Sequence, residues 1–479
     1  MKEEKCLFVD LDGTLIKSDL LFECLVPIIK NYFYALFLAP FWLLKGKAYL
    51  KDKFSDLVSI NPEILPYNNN VLEYIRKEKE NGSKIILATA SNIKLAKSIS
   101  DYLGIFDDVI ASSKEENLKG KNKLNKIKLY IENNNTNKEF SYIGDSEADV
   151  KIFNETNIPI VVGNKNVFNK IKSKNDKTTF VDGENDFSLK KFFKMIRTYQ
   201  WVKNFLIFLP LILAHKFLDV NLLLKALVAF FSFSFLASSV YIINDIMDVE
   251  SDRIHPSKKN RPIASGAVKI SSALKVAFIL MPLSFIISIF LGKEFLFVLL
   301  TYFITTSCYS FYLKKIMLVD ILILSLLYTV RMFAGGVALN IYLSPWLFMF
   351  SMFFFFSLAC AKRYSELYAV RNNLQDEIKG RGYQAQDLEQ IQIFGSSSGY
   401  IAILIFALYI QSDISMKLYK TPSFFWALCP IMLYWISRVW LLSHRGQMTQ
   451  DPIIFALKDK VSYVVLILSI IIFGVAKYV

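Results

Sequence analysis

From residue 201 onward the chain is a succession of apolar runs, most of them long enough to form a helix that crosses a bilayer. Nine candidates lie near 203–218, 222–243, 272–291, 294–312, 317–336, 343–361, 397–412, 423–442 and 461–478. Crossing about 30 Å of hydrocarbon takes about 20 apolar residues at 1.5 Å each. The expectation for this half is an all-α polytopic membrane bundle of about nine transmembrane helices. Composition agrees. The 479 residues are 53% hydrophobic and only 20% charged, below the ~25% charge common in soluble domains. Five scattered cysteines (Cys6, Cys24, Cys308, Cys360, Cys429) include no CxxC pair, which argues against a disulfide framework or a zinc site. The net charge of +14 fits Lys/Arg-rich cytoplasmic loops. No nucleic-acid motif accompanies it, so no nucleic acid is expected as a partner.

Residues before about 190 read differently. They are rich in Lys, Asn, Asp and Glu, and strand-like runs at Cys6–Asp10, Lys84–Ala88, Asp108–Ala111, Phe140–Gly144 and Pro159–Val162 alternate with helical stretches such as Asn69–Glu80 and Lys94–Leu103. That alternation predicts a parallel α/β sheet with helices on both faces. Ligands in such a sheet bind at the carboxyl ends of its strands. The start, Met1-Lys2-Glu3-Glu4-Lys5, leads straight into the first run, which reads as no signal peptide and a cytoplasmic first half. Lys and Arg total fifteen in the loops 244–272, 313–316, 362–396 and 443–460, against four in the alternate loops. The bias places the richer set in the cytoplasm and, with nine spans, Val479 outside.

Strand-end chemistry follows the first run, in Phe8-Val9-Asp10-Leu11-Asp12-Gly13-Thr14-Leu15. Carboxylates at i and i+2 on a strand project from one face, and Gly13 permits a tight turn beyond them. Asp10 suits nucleophilic attack on phosphorus, and Asp12 suits proton transfer to and from the leaving oxygen. Two carboxylates so close call for a cation, and Mg²⁺ is the natural one. Thr89 offers a hydroxyl to a phosphate oxygen after the second strand. Lys123, with Lys119 and Lys121 as neighbours, offers a cation. Gly144-Asp145-Ser146-Glu147-Ala148-Asp149 supplies two further acids.

This ordered set resembles the haloacid dehalogenase (HAD) phosphatase superfamily over about residues 5–165. The resemblance implies a Rossmann-like α/β domain at 1–187 with a helical cap at about 16–68. It implies Asp10 as nucleophile, Asp12 as general acid/base, Thr89 and Lys123 as phosphate binders, and Asp10, Asp12, Asp145 and Asp149 around the metal. Within the cap, the apolar run Phe33–Leu44 is too short to span comfortably. It reads either as cap core or as a surface lying among lipid headgroups.

At the end of the second apolar run stands Asn244-Asp245-Ile246-Met247-Asp248-Val249-Glu250-Ser251-Asp252. Spacings of three and four put Asp245, Asp248 and Asp252 on one helical face, bordered by Asn244. Acids at a membrane mouth are costly without a cation, and Mg²⁺ bridging a diphosphate answers that. Lys258 and Arg261 in the next loop suit the outer phosphates. The block resembles the UbiA-type intramembrane prenyltransferase superfamily over about residues 195–479, with 188–202 as a juxtamembrane linker helix and 203–479 as the transferase domain. Aromatic prenyltransferases of that superfamily carry a second aspartate-rich motif after the sixth span. Here the position reads Ala361-Lys362-Arg363-Tyr364-Ser365-Glu366-Leu367, which favours an anion such as a lipid phosphate at Lys362 and Arg363.

This pattern looks like the decaprenyl-phosphate phosphoribosyltransferase branch. Tyr309-Ser310-Phe311-Tyr312-Leu313-Lys314-Lys315, Asp320, Arg331 and the run Asp451–Asp459 agree with it. Lys314 and Arg331 join the expected substrate binders, with Asp320 either partnering Arg331 or lining the site beside it. The resemblance implies a bifunctional enzyme of the inner (plasma) membrane. It would move phosphoribose from phosphoribosyl diphosphate to a polyprenyl phosphate, and the co-occurrence of the HAD domain in the same chain suggests that it dephosphorylates the product or a related phosphate ester. The alternative is transfer of an isoprenoid from a prenyl diphosphate to an aromatic or other polar acceptor.

Overall fold

The computed structural model describes residues 5–134, 139–184, 188–372, 381–448 and 451–479. They gather into two compact units, one of residues 1–197 with 241–279 and the other of 198–240 with 280–479. By packing, the first unit also takes in residues 241–279. The segment holding Asp245, Asp248 and Asp252 is built into the same unit as the α/β sheet.

In the first unit, six strands form one parallel sheet: β1 (Cys6–Val9), β2 (Lys84–Asn92), β3 (Asp108–Ser112), β4 (Phe140–Gly144), β5 (Ile158–Val162) and β6 (Thr179–Val181). Their order is β3-β2-β1-β4-β5-β6. The central strands are covered on both faces, so they read as continuous apolar runs rather than alternating ones. All four residues of β1 are buried. With three residues, β6 is too short to register as a strand in the sequence. In register, Val9 sits between Leu87 of β2 and Ile143 of β4, so the residues that leave β1, β2 and β4 emerge side by side where the connections diverge to opposite edges.

Three helices, Leu20–Asn31, Tyr34–Leu44 and Lys47–Leu57, fill the expected cap. Asp19 caps the first by accepting from Leu21 N at 2.9 Å. The segment 241–279 is joined to this cap by Arg253, whose guanidinium donates twice to the Glu23 carboxylate, at 2.7 and 3.0 Å.

Eight helices among the described residues are long and apolar enough to cross a membrane: Val220–Met247, Ile270–Leu291, Lys293–Phe311, Val319–Leu339, Pro345–Ala369, Ala385–Ile410, Pro422–His444 and Lys460–Tyr478. The ninth expected span, 203–218, is instead a 3-10 helix, Thr198–Phe208, followed by the short helix Leu209–Leu213. Lys203, Asn204 and Pro210 interrupt its apolar character, and proline at the start of the short helix suits a fresh helical turn better than a continuing one. The spans of the second unit pack closely. A Cβ on Gly395 would lie 2.1 Å from Trp440 Cζ2, so that helix–helix approach exists only because the residue is glycine.

Candidate active sites

Asp10 follows β1 and extends its ladder, Asp10 N donating to Ile143 O at 2.9 Å. Lys123 Nζ donates to Asp10 Oδ1 at 2.7 Å and to Tyr142 Oη at 2.9 Å. Tyr142 donates in turn to Asp149 Oδ1 at 2.9 Å, and Ser146 Oγ donates to Asp149 Oδ2 at 2.6 Å. Carboxylate oxygens of Asp10, Asp145 and Asp149 all lie within 4.8 Å of one another. Such a set of hard oxygen donors fits Mg²⁺. Gly13 sits at φ +79°, a conformation that favours glycine, and a Cβ there would displace the Asp145 carboxylate, whose Oδ2 it would meet at 2.4 Å. Asp145 also accepts from Lys269 Nζ at 3.3 Å.

Asp12 departs from expectation. β1 ends at Val9, so the two-residue alternation of a strand does not carry through to Asp12. Its carboxylate turns to accept from Leu20 N at 2.9 Å and from Ser91 Oγ, and it is not among the clustered metal-type acids. Thr89 is fully buried, and its hydroxyl accepts from Ser91 N at 3.0 Å. Ser91 and Tyr142 were not singled out in the sequence. Ser91 stands two residues past Thr89, whereas nothing in the sequence around Tyr142 marks it.

Burial pushes the Asp10 carboxyl up to about 7 against the pull of Lys123, and lifts Asp12 to about 6. A raised carboxyl favours the protonated folded form, so its stabilising contribution is complete below the unfolded value near 4 and is lost as pH rises through 6–7. Added Mg²⁺ should therefore raise the melting temperature of the full-length protein in detergent more at pH 8 than at pH 5. Equal shifts at the two values would contradict the cluster as a cation site. Replacing Tyr142 with Phe removes one bond to a cation and one to a carboxylate. At roughly 1.5–3 kcal/mol for a charged hydrogen bond, phosphatase turnover should fall about 10- to 100-fold with the fold retained, measurable by steady-state kinetics alongside circular dichroism.

The acids of the second motif are held by arginines. Asp245 pairs with Arg197 and with Arg261, the latter at 2.9 Å, and Arg261 also reaches Asp252 at 2.5 Å. The helix breaks after Met247, at Asp248, and restarts as Val249–Ile254. Asp245, Asp248 and Asp252 do not form a second mutual cluster like that of Asp10, among the described residues. Burial pushes Asp252 above its ordinary value, with Arg261 opposing. Asn244 precedes Asp245 within the long helix, and Lys258 is exposed on the turn Lys258–Asn260.

In the second unit the expected cations take separate roles. Arg363 is fully buried and ion-paired with Asp320, also fully buried, at 2.7 Å, and with Glu366. These two ion pairs engage it within the packed helices. Arg331 bonds Asn204 Oδ1 at 2.8 Å, Tyr302 Oη at 2.9 Å and Leu327 O. Asp320 is thus not its partner. Lys314 sits in the turn Leu313–Lys315. Lys362 lies 3.7 Å from Asp451, which Lys203 also reaches at 2.6 Å. Although burial works the other way, Lys203 and Lys362 hold the Asp451 carboxyl well below its ordinary range. Arg197, Lys203 and Asp451 were not among the expected site residues.

A parallel α/β sheet with clustered acids at its strand ends, joined to a bundle of membrane-length helices, defines a polytopic membrane enzyme with a hydrolase-type unit. The UbiA prenyltransferase family model matches residues 205–457, over half the chain, and the chain belongs to that family. Residues 30–154 match haloacid dehalogenase-like hydrolases. The chain is 34% identical over 466 residues to protein y4nM of Sinorhizobium fredii, covering 95% of this chain and 88% of that one. It is 39% identical over 180 residues to the decaprenyl-phosphate phosphoribosyltransferase of Mycolicibacterium smegmatis, 36% of this chain and 56% of that one. A digeranylgeranylglyceryl phosphate synthase of Sulfurisphaera tokodaii is 31% identical over 152 residues, 32% of this chain and 53% of that one.

Proposed function

We propose that the transferase moves phosphoribose from phosphoribosyl diphosphate to a polyprenyl phosphate, and that the HAD-like domain then removes the ribose 5-phosphate. The observation that carries the first half is the pair of lysines, Lys203 and Lys362, sharing the single carboxylate of Asp451. Two lysine side chains gathered at one point suit a phosphate monoester better than an uncharged aromatic acceptor. The 39% identity to a decaprenyl-phosphate phosphoribosyltransferase supports the same reading. The resemblance to digeranylgeranylglyceryl phosphate synthase favours prenyl transfer as the second reading.

Mg²⁺, where bound by carboxylates of either motif, would neutralise phosphate charge, including that developing on the departing diphosphate. At the donor end, Asp245, Asp248 and Asp252 would hold the metal, with Arg197, Arg261 and the exposed Lys258 as cations for the phosphates. In the transfer, a phosphate oxygen of the lipid attacks the anomeric carbon as the bond to diphosphate breaks. No protein nucleophile is required, because positioning supplies much of the rate. In the HAD-like site, Asp10 attacks phosphorus while Thr89 and Lys123 hold the phosphoryl oxygens. Asp12, at about 6, protonates the leaving oxygen and then activates water on the aspartyl-phosphate.

Lys362→Ala should raise KM for the lipid phosphate at least about tenfold, with a smaller change for the diphosphate donor, in initial-rate assays with each substrate varied. An effect on the donor alone would place the acceptor elsewhere.

A further inference from the structure

The cap helix Tyr34–Leu44 has no place in either reaction, yet among the described residues it is the one apolar helix of 10–17 residues. Its sequence, Tyr-Ala-Leu-Phe-Leu-Ala-Pro-Phe-Trp-Leu-Leu, holds no charged or amide side chain. A helix apolar on every side is ordinarily buried, but here only Ala35 is fully buried. Leu36, Ala39 and Trp42 pack against the core of the α/β unit. The opposite face leaves Phe37 68%, Phe41 64% and Leu44 86% exposed, with Phe33, Tyr34, Leu38 and Leu43 exposed beside them. Contiguous exposed apolar surface of this kind marks a binding face.

Charge says what covers it. Between Glu23 and Asp52 the chain has no acid, and Lys30, Lys45 and Lys47 bracket the helix, all three exposed. An apolar face rimmed by lysines is the pattern of a helix lying in the interface of an anionic leaflet. The chain is already a multi-pass membrane protein by family and by its eight apolar helices. At 1.5 Å per residue the helix is about 16 Å long, roughly half of a 30 Å hydrocarbon core, so it can enter one leaflet without spanning it.

The inserted helix is coupled to the phosphatase. Trp42 meets Phe54 of the next helix edge-on, ring centroids 6.2 Å apart. From that next helix, Lys47–Leu57, Lys51 Nζ donates to Ala90 O at 2.7 Å, and Asp52 Oδ1 accepts from Asn92 Nδ2 at 3.0 Å. Ala90 lies between Thr89 and Ser91. We infer that Tyr34–Leu44 inserts into an anionic leaflet and holds the HAD-like site against phosphomonoesters carried on membrane lipids. The substrate half of this inference rests on the phosphatase reading above, whereas the insertion half does not.

The test uses the full chain in nanodiscs of equimolar phosphatidylcholine and phosphatidylglycerol. Cys308 and Cys429 are changed to Ser, leaving the buried Cys6, Cys24 and Cys360, and a bimane label is placed at Phe37→Cys or, as reference, at the exposed Lys97→Cys. The Phe37 label should be quenched by acyl-chain spin-labelled lipid and shielded from iodide, the Lys97 label the reverse. A Phe37 label as open to iodide as the Lys97 label overturns insertion. In the same discs, the double variant Phe37→Glu, Phe41→Glu should lower turnover of phosphatidic acid about tenfold by releasing the HAD-like site from the leaflet surface, with p-nitrophenyl phosphate turnover unchanged. Equal loss on both substrates overturns the substrate half. If the unmodified protein hydrolyses neither, the phosphatase reading fails with it, and the quenching result still decides insertion.

Discussion

Asp10→Asn should abolish dephosphorylation by at least about three orders of magnitude, because the amide cannot form the aspartyl-phosphate. The substitution is nearly isosteric and leaves Lys123 with Tyr142 and Asp149 as partners, so the sheet should remain intact. It also removes one of the three acids within 4.8 Å of one another, relieving like-charge repulsion in a buried site. The melting temperature without Mg²⁺ should accordingly stay level or rise while activity disappears. Transfer from the diphosphate donor should be unaffected, so the phosphorylated product accumulates. Retained phosphatase activity in Asp10→Asn would remove Asp10 from the nucleophile's role.

The second large effect is expected at Asp248. Asp245 and Asp252 are tied to half-buried arginines, and replacing either disturbs this ion-pair network, a change that mixes folding with function. Asp248 makes none of these ion pairs and stands at the break between the two helices. Asp248→Asn should cut transfer by about 100- to 1,000-fold, with unchanged elution from a sizing column and unchanged phosphatase rate. Initial rates with labelled donor would measure it. A loss below about threefold would show that the second motif does not hold the diphosphate.

The central strands and the residues just beyond them were legible because buried parallel strands are apolar throughout, and an acid directly after such a run is conspicuous. Asp10, Asp145 and Asp149 came together for that reason. Asp12 stands apart from the three clustered acids, since β1 ends at Val9 and the turn beyond it is not encoded in the i, i+2 spacing. Apolar length found eight helices, but residues 203–218 scored as a span on composition while Lys203, Asn204 and Pro210 broke the helix. The cations of the second unit were hardest to sort. A Lys-Arg pair looks the same whether it greets a ligand or closes a buried ion pair, and only the packed structure separates Lys362 from Arg363. Nor does local sequence show that 241–279 packs with 1–197, since Arg253 and Glu23 are far apart along the chain.

The most direct measurement is mass spectrometry of the lipid products formed by purified protein in proteoliposomes with Mg²⁺, offered phosphoribosyl diphosphate and prenyl diphosphate together with polyprenyl phosphate. The account predicts a ribosyl-phospho-lipid from the unmodified protein and the same lipid one phosphate heavier from Asp10→Asn. Consumption of prenyl diphosphate, with no ribose on any lipid, would contradict it.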